Sequence, residues 1–394
     1  MINVLAIGDI NNVINSISKV TKRTKIHIVN FPKDGAGIFL HEDNVDRFDS
    51  WKVKDQIEHI NKIKNKFDIC IVMGTGERIA YLCDLNYMSY YVGRDIDAPR
   101  FIKNSKEIWF KTPLHKLNML ERKFYRKTFD CAIAHISGLW VFPFLKRYDK
   151  NAIRMDMMYV DKKLFKNKIS SNESQNKKFT FFSPVRMGLP KGTDLLWDAV
   201  NLCKSDFEIL QVEWFDTSNQ EEEEIQKQLL RKVPDKIKFI PMIKRELITD
   251  YYNYSDAVLG SFRVDSWELV EMEAILSGKP VISYNHPNQK YFVKNQFLDS
   301  PFIPKSNKPE DIAKIIDMFV ESKDFREDIF QKQMSFVKES TDEDWIGDWW
   351  DKLFSHYVKK YKNIERGSSS VLVKIRIWYF IFANRLYWKK IKKM

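Results

Sequence analysis

The sequence predicts an α/β protein built from two doubly wound, Rossmann-like domains. Three observations carry this. Strand and helix patterns alternate through both halves of the chain. A polar stretch separates the halves. And 394 residues exceed what one hydrophobic core usually fills.

Taken in order, "INVLAIGD" and "TKIHIVNF" read as strands with the helical "NNVINSISKVTKR" between them. "DQIEHINKIKNKF" has helical apolar spacing and leads into "DICIVMG", a continuous apolar run suited to a parallel strand. "MLERKFYRKTF" is a further helix and "DCAIAHIS" a further strand. "FKNKISSNESQNKK", from Phe165 to Lys178, reads as a linker with no core residue. The second half repeats the alternation. Its strands are "KFTFFSPV", "FEILQVEW", "KIKFIPM", "DAVLGSF" and "PVISY". Its helices are "DLLWDAVNL", "EEEEIQKQLLRKV", "ELITDYYNYS", "ELVEMEAILS" and "PEDIAKIIDMFVE". The expected domains are residues 1–166 and 167–344, then a helix over 345–366 and a basic aromatic tail over 367–394. Two such sheets predict a ligand cleft where their carboxyl ends face each other.

Composition narrows the class. The apolar share is 44%, and aromatic residues are plentiful, so the chain is globular. The four cysteines are scattered and form no CxxC pair, which argues against zinc and disulfide frameworks and fits a reducing, cytoplasmic compartment. "MINVLAIGDI" has no basic leader and reads as a strand, not a signal peptide. No apolar run approaches the ~20 residues that span a bilayer. The net charge is +12, but residues 371–394 hold seven cations and no acid, leaving +5 for the rest. The body is therefore only mildly basic, and a nucleic-acid partner is not expected.

Two stretches carry chemistry. "SPVRMGLPKGTDLL" places Arg186 and Lys191 in a strand-to-helix turn, where open α/β sheets bind ligands and helix N-termini attract phosphate. Surface cations beside a Pro-Lys-Gly turn are the plainer reading. "DSWELVEMEAILSGKPVISY" predicts a helix that starts near Ser266, with Asp265 as N-cap and Glu268 three residues on. Its first amides would form an anion site. Glu268, Glu271 and Glu273 lie along it, and at least one is expected to face the cleft.

These stretches resemble the group 1 (family 4) GT-B glycosyltransferases. "RMGLPKGTDLLWDA" is similar to their RxxxxKGxDxxxxA signature, and "DSWELVEME" to their E-x7-E block. "ITDYYNYSDAVLGSF" and "MMYVDKKLF" resemble two further segments of the family, in family order. The resemblance implies a nucleoside-diphosphate sugar, with a UDP or GDP moiety, as donor substrate and no cofactor. Arg186 and Lys191 would hold the diphosphate. Backbone amides from Ser266 through Trp267 and Glu268 to Leu269 would complete the cradle. Glu273 would accept from the ribose hydroxyls, Asp265 would lie near the sugar, and the backbone at Met242 would meet the base. Fixed cations and helix amides would stabilise the leaving group without a metal. Family members generally retain anomeric configuration.

The chain departs from the family pattern. Asp265 replaces the usual Glu, and Ser266 and Glu268 replace glycines, so Glu268 is expected to point away from the diphosphate. "YYVGRDIDAPRF" resembles the family's HGxD segment with Val92 in place of His. That leaves Gly93, Asp95 and His115 as candidates for an acceptor or sugar site. His135, inside a strand, reads as a core residue. Asp95-Ile96-Asp97 also reads as the DxD metal motif of GT-A transferases, which would not explain the Arg-Lys clamp. Lys191-Gly192-Thr193 lacks the glycine before Lys that a P-loop needs. A non-catalytic saccharide or sugar-nucleotide binding protein and a sugar-nucleotide epimerase are the alternatives. The tail "VLVKIRIWYFIFANRLYWKKIKKM" follows "RGSSS", read as a flexible joint. Its aromatics and cations suit an anionic membrane surface. The expected acceptor is a lipid-linked saccharide, polysaccharide or glycan, with the enzyme peripheral on the inner membrane face.

Overall fold

The computed structural model describes residues 1–10, 12–32, 45–93, 118–165, 178–215, 220–264 and 267–391. The chain divides into two units, Met1–Tyr159 with Glu343–Met394, and Val160–Asp342.

The first unit is a seven-stranded parallel sheet. Its strands are β1 (Ile2–Ile7), β2 (Thr24–Asn30), β3 (Asp46–Arg47), β4 (Ile69–Val72), β5 (Tyr87–Tyr91), β6 (Ala134–Ser137) and β7 (Ile153–Arg154), ordered β3-β2-β1-β4-β5-β6-β7. Its helices are α1 (Val13–Ser18), α2 (Val53–Ile63), α3 (Gly76–Leu82), α4 (Met119–Cys131) and α5 (Phe142–Tyr148). The predicted strands are β1, β2, β4 and β6. The unpredicted β5, "YMSYY", is buried at every position like β4, but Ser89 breaks its apolar run. β3 and β7 have two residues each.

The second unit is a five-stranded parallel sheet. Its strands are β8 (Phe179–Ser183), β9 (Phe207–Val212), β10 (Ile237–Ile240), β11 (Ala257–Leu259) and β12 (Val281–Ile282), ordered β10-β9-β8-β11-β12. The helices α6 (Thr193–Leu202), α7 (Gln220–Leu230), α8 (Ile248–Tyr254) and α9 (Leu269–Leu276) connect them. A hairpin of β13 (Lys290–Val293) and β14 (Gln296–Asp299) follows, then α10 (Pro309–Glu321) and α11 (Lys323–Ser340). The order of successive strands reverses between β8 and β11, where an open α/β sheet leaves a crevice. The unpredicted α11 supplies Gln333, whose amide donates to the Val281 carbonyl at 2.7 Å and accepts from its N–H at 2.9 Å. That covers the edge strand β12 as a further strand would.

Phe165 corrects the linker reading. It is 1% exposed, packs on Tyr252, and carries the Arg245 guanidinium 5.3 Å above its ring. The remaining linker positions 166–177 lie outside the described residues.

α12 (Glu343–Lys360) and α13 (Ser370–Ile391) belong to the first unit. Trp350 of α12 is 1% exposed and packs on Tyr90. The Asp351 carboxylate accepts from the N–H groups of Lys22 and Arg23, each at 2.9 Å. The "RGSSS" joint is anchored, contrary to the flexible reading. Ser368 N–H donates to the Asp84 carboxylate at 2.7 Å, and Arg376 pairs with the same carboxylate at 2.7 Å. Arg366 N–H also donates to the Asp84 carbonyl at 2.8 Å, so two backbone donors of the run go to one buried residue.

Candidate functional site

Arg186, Lys191, Arg245 and Arg263 of the second unit lie in the loops that follow the carboxyl ends of its strands. The turn from β8 to α6 is held by two glycines with positive φ, Gly188 at 140° and Gly192 at 72°. A Cβ on Gly192 would stand 2.9 Å from backbone atoms of both Phe262 and Arg263. Gly188 N–H donates to Thr193 Oγ1 at 2.9 Å, and Phe262 N–H donates to the Lys191 carbonyl at 2.8 Å. The Lys-Gly pair is therefore a backbone requirement. Gly192 lets the turn lie against the loop after β11, and Lys191 is fixed there as a result. Arg186, half-buried, lies in the same turn. Arg263, from the loop after β11, pairs with Asp194 of α6.

α9 starts later than predicted. Its N-cap is Glu268, not Asp265, and a reciprocal capping box joins Glu268 to Glu271. Glu268 N–H donates to Glu271 Oε2 at 2.8 Å. Nor does Glu268 point away: its carboxylate pairs with the Lys191 ammonium. A carboxylate at the end of β11's loop would be repelled by an anionic ligand, and here it neutralises the lysine. Glu271 is fully buried. Burial, and then the charge of Glu268, push its carboxyl up to about 7. Its Oε1 lies 3.1 Å from Ser283 Oγ, which lies 3.1 Å from the Ser261 carbonyl. A protonated Glu271 can donate to Ser283, which then donates to Ser261, so every group in the chain is satisfied.

Glu273, two residues on, is 1% exposed. Arg245, from the loop after β10, meets it with two guanidinium nitrogens, one at 2.8 Å, and the Tyr252 hydroxyl stands 3.4 Å away. A bidentate arginine fixes the carboxylate plane and leaves lone pairs for a further donor. Met242 sits in the same loop and is 59% exposed.

The structure thus brings Arg186, Lys191, Glu268, Leu269, Glu273 and Met242 to one end of one sheet. Trp267 contributes only backbone there, because its side chain is fully buried against Phe336 and Tyr291. Asp265 and Ser266 lie outside the described residues, as do Asp95, Asp97 and His115 of the first unit. Gly93 follows β5 with open space around its Cα. His135 is a core residue: Nδ1 lies 2.7 Å from Asp149, Nε2 lies 3.1 Å from the Phe129 carbonyl, and the ring stacks on Phe129. Sequence reading missed Arg245, Arg263 and Ser283. Their partners lie far along the chain, and an arginine in "KREL" looks like any exposed cation.

Two parallel-sheet α/β units define the class: the chain has the GT-B fold of glycosyltransferases. Residues 165–334, within the second unit, match the family model described as glycosyl transferases group 1. Among solved structures, the chain is similar to HepE of Anabaena in complex with UDP and glucose, at 16% identity and TM-score 0.66, covering 90% of this chain and 100% of that one. It is similar to sucrose-phosphate synthase of Thermosynechococcus elongatus at 12% identity and TM-score 0.65, covering 91% and 100%. A glycosyltransferase of Rickettsia africae aligns at 13% identity and TM-score 0.60, covering 91% and 99%. No curated protein matches the chain in sequence.

Proposed function

We propose that the protein is a family 4 glycosyltransferase that moves a sugar from a nucleoside-diphosphate sugar to a hydroxyl acceptor, with retention of configuration and without a metal. One observation carries the reading: Arg186, Lys191, the first turn of α9 and the buried Glu273 gather at one sheet end, inside the segment that matches group 1 transferases. Departure of a nucleoside diphosphate concentrates negative charge on its terminal phosphate. Arg186 and Lys191 meet that charge, and α9 amides assist. Lys191 leaves Glu268 for the phosphate as the donor binds. Glu273, held by Arg245, accepts from the ribose hydroxyls, and Asp265 serves the sugar. A UDP-sugar is the first donor to try, since the similar HepE structure holds UDP and glucose. Gly93, Asp95 and His115 remain our candidates for the acceptor side. We place the reaction at the cytoplasmic membrane face, on a lipid-linked or surface glycan.

The test is a panel of UDP-, GDP- and ADP-sugars, scored by thermal shift and by nucleoside diphosphate release. Lys191→Ala should cut kcat/KM by about 10²-fold or more, because charge-assisted contacts aimed at transition-state charge are worth about 1.5–3 kcal/mol each or more. A folded Lys191→Ala enzyme with near-normal turnover would remove the assignment. EDTA should leave turnover intact, whereas strict Mn²⁺ dependence would favour the Asp95-Ile96-Asp97 reading. The Lys191–Glu268 pair favours one second reading, a non-catalytic sugar-nucleotide binder, since it engages the clamp internally. Slow donor hydrolysis without acceptor decides against it.

A further inference from the structure

α13 is apolar on two opposite sides. On one side Phe380 is 3% exposed and packs on Phe124. The Tyr379 hydroxyl donates to the Leu120 carbonyl at 3.1 Å, and Asn118 Nδ2 donates to the Ala383 carbonyl at 3.2 Å. With the Arg376–Asp84 pair, these contacts seat the helix on the first unit. On the other side Val371, Ile375, Trp378 and Phe382 are 64%, 55%, 65% and 43% exposed. Their spacing of four, three and four residues makes one strip about 16 Å long. Trp378 and Phe382 stack on each other at 5.4 Å, in the open. Lys374 and Arg385 are exposed on the same side. A soluble helix normally shows water a polar face. Here the face toward water carries aromatics and cations.

We propose that the outward face of α13 docks on an anionic lipid bilayer. Trp378, Phe382, Ile375 and Val371 enter the boundary between headgroups and acyl chains, and Lys374 and Arg385 meet lipid phosphates. Charge chooses the occupant. Residues 371–394 carry no acid, and while Arg376 turns inward to Asp84, Lys374 and Arg385 stand exposed on the outward face. A second copy would set two such strips face to face and repel, while an anionic bilayer complements them. The helix lies on the surface: among the described residues, no helix is long and apolar enough to cross a membrane. This inference does not depend on the glycosyltransferase reading.

The experiment is co-sedimentation of the full chain with phosphatidylcholine vesicles, with and without phosphatidylserine. Deleting α13 would strip the cover from Phe124, so exposed positions are substituted instead. The wild-type chain should sediment with phosphatidylserine vesicles and be released by salt. Trp378→Gln with Phe382→Gln should weaken this at least about tenfold, and Lys374→Glu with Arg385→Glu should do the same for phosphatidylserine vesicles alone. Both variants should keep the wild-type melting temperature and UDP affinity, which separates this test from that of the donor site. Absence of wild-type sedimentation, or equal sedimentation of all three proteins, overturns the proposal. So does a dimer in light scattering that Trp378→Gln abolishes, without vesicle binding, which would assign the face to a second copy.

Discussion

Glu273 and Glu271 sit two residues apart in α9, yet their surroundings give them different chemistry. Glu273 faces an arginine, and Glu271 faces a serine and the charge of Glu268. If Arg245 positions Glu273 for ribose, Arg245→Ala should weaken UDP binding by about 10- to 100-fold, from the ~1.5–3 kcal/mol of a charge-assisted contact. Inorganic pyrophosphate, which has no ribose, should bind the variant as it binds the wild type; calorimetry with both ligands checks this. Glu271 makes a pH prediction. Its folded carboxyl titrates near 7 rather than at the ordinary 4.5. The folded protein then holds this proton more tightly than the unfolded chain does. The stability from this group is full below about pH 4.5 and is lost as pH rises through about 7, a loss of at most ~3 kcal/mol. Glu271→Gln keeps a donor toward Ser283 and removes the titration. Urea melts at pH 5 and pH 7.5 should show a smaller decline for Glu271→Gln than for wild type; equal declines would refute the assignment.

At the scale of elements, the turn between β8 and α6 shows how backbone geometry places a side chain. Gly192 combines a left-handed φ with backbone contact to the loop after β11. Alanine there incurs ~1–2 kcal/mol of left-handed strain, and more because the atoms it meets are backbone. Gly192→Ala should lower the melting temperature by several degrees and weaken nucleotide binding together, since Lys191 moves with the turn. A variant that melts lower but binds normally would show that the turn and the clamp are separable. α9 makes the complementary point. Its capping signal was readable, but two acids spaced three apart occur twice, at 265/268 and 268/271. The sequence pattern does not choose between them. The chosen pair is the one whose second member can bury its carboxylate against Ser283.

For the whole molecule, the order of the chain matters. The second unit, Val160–Asp342, is one continuous segment, while the first is assembled from both ends of the sequence. α12 supplies that sheet with Trp350 and the Asp351 carboxylate, and α13 covers α4. A fragment of residues 160–342 should therefore fold and bind UDP by itself, as followed by circular dichroism and calorimetry. A fragment of residues 1–159 should not give a cooperative melt, because it exposes Tyr90 and Phe124 and leaves the N–H groups of Lys22 and Arg23 without their acceptor. A cooperative melt from residues 1–159 would show that α12 and α13 are dispensable.

By itself the sequence determined the class of fold, the strand-helix alternation in both halves, and the Arg186–Lys191 turn. These signals are local: apolar period, turn glycines and caps each act within a few residues. The buried strand β5 escaped because Ser89 interrupts its apolar run, where the equally buried β4 runs unbroken, and α11 because its apolar positions are sparse. Only the tertiary structure decided which charges meet. Arg245 finds Glu273 across 28 residues, Lys191 finds Glu268 across 77, and Arg376 finds Asp84 across 292. It also decided that Phe380 faces the protein and Trp378 faces outward, two residues apart on one helix. Which side of α13 is covered depends on where α3 and α4 lie, and a helix with apolar residues on two opposite sides carries no mark of its own to say so.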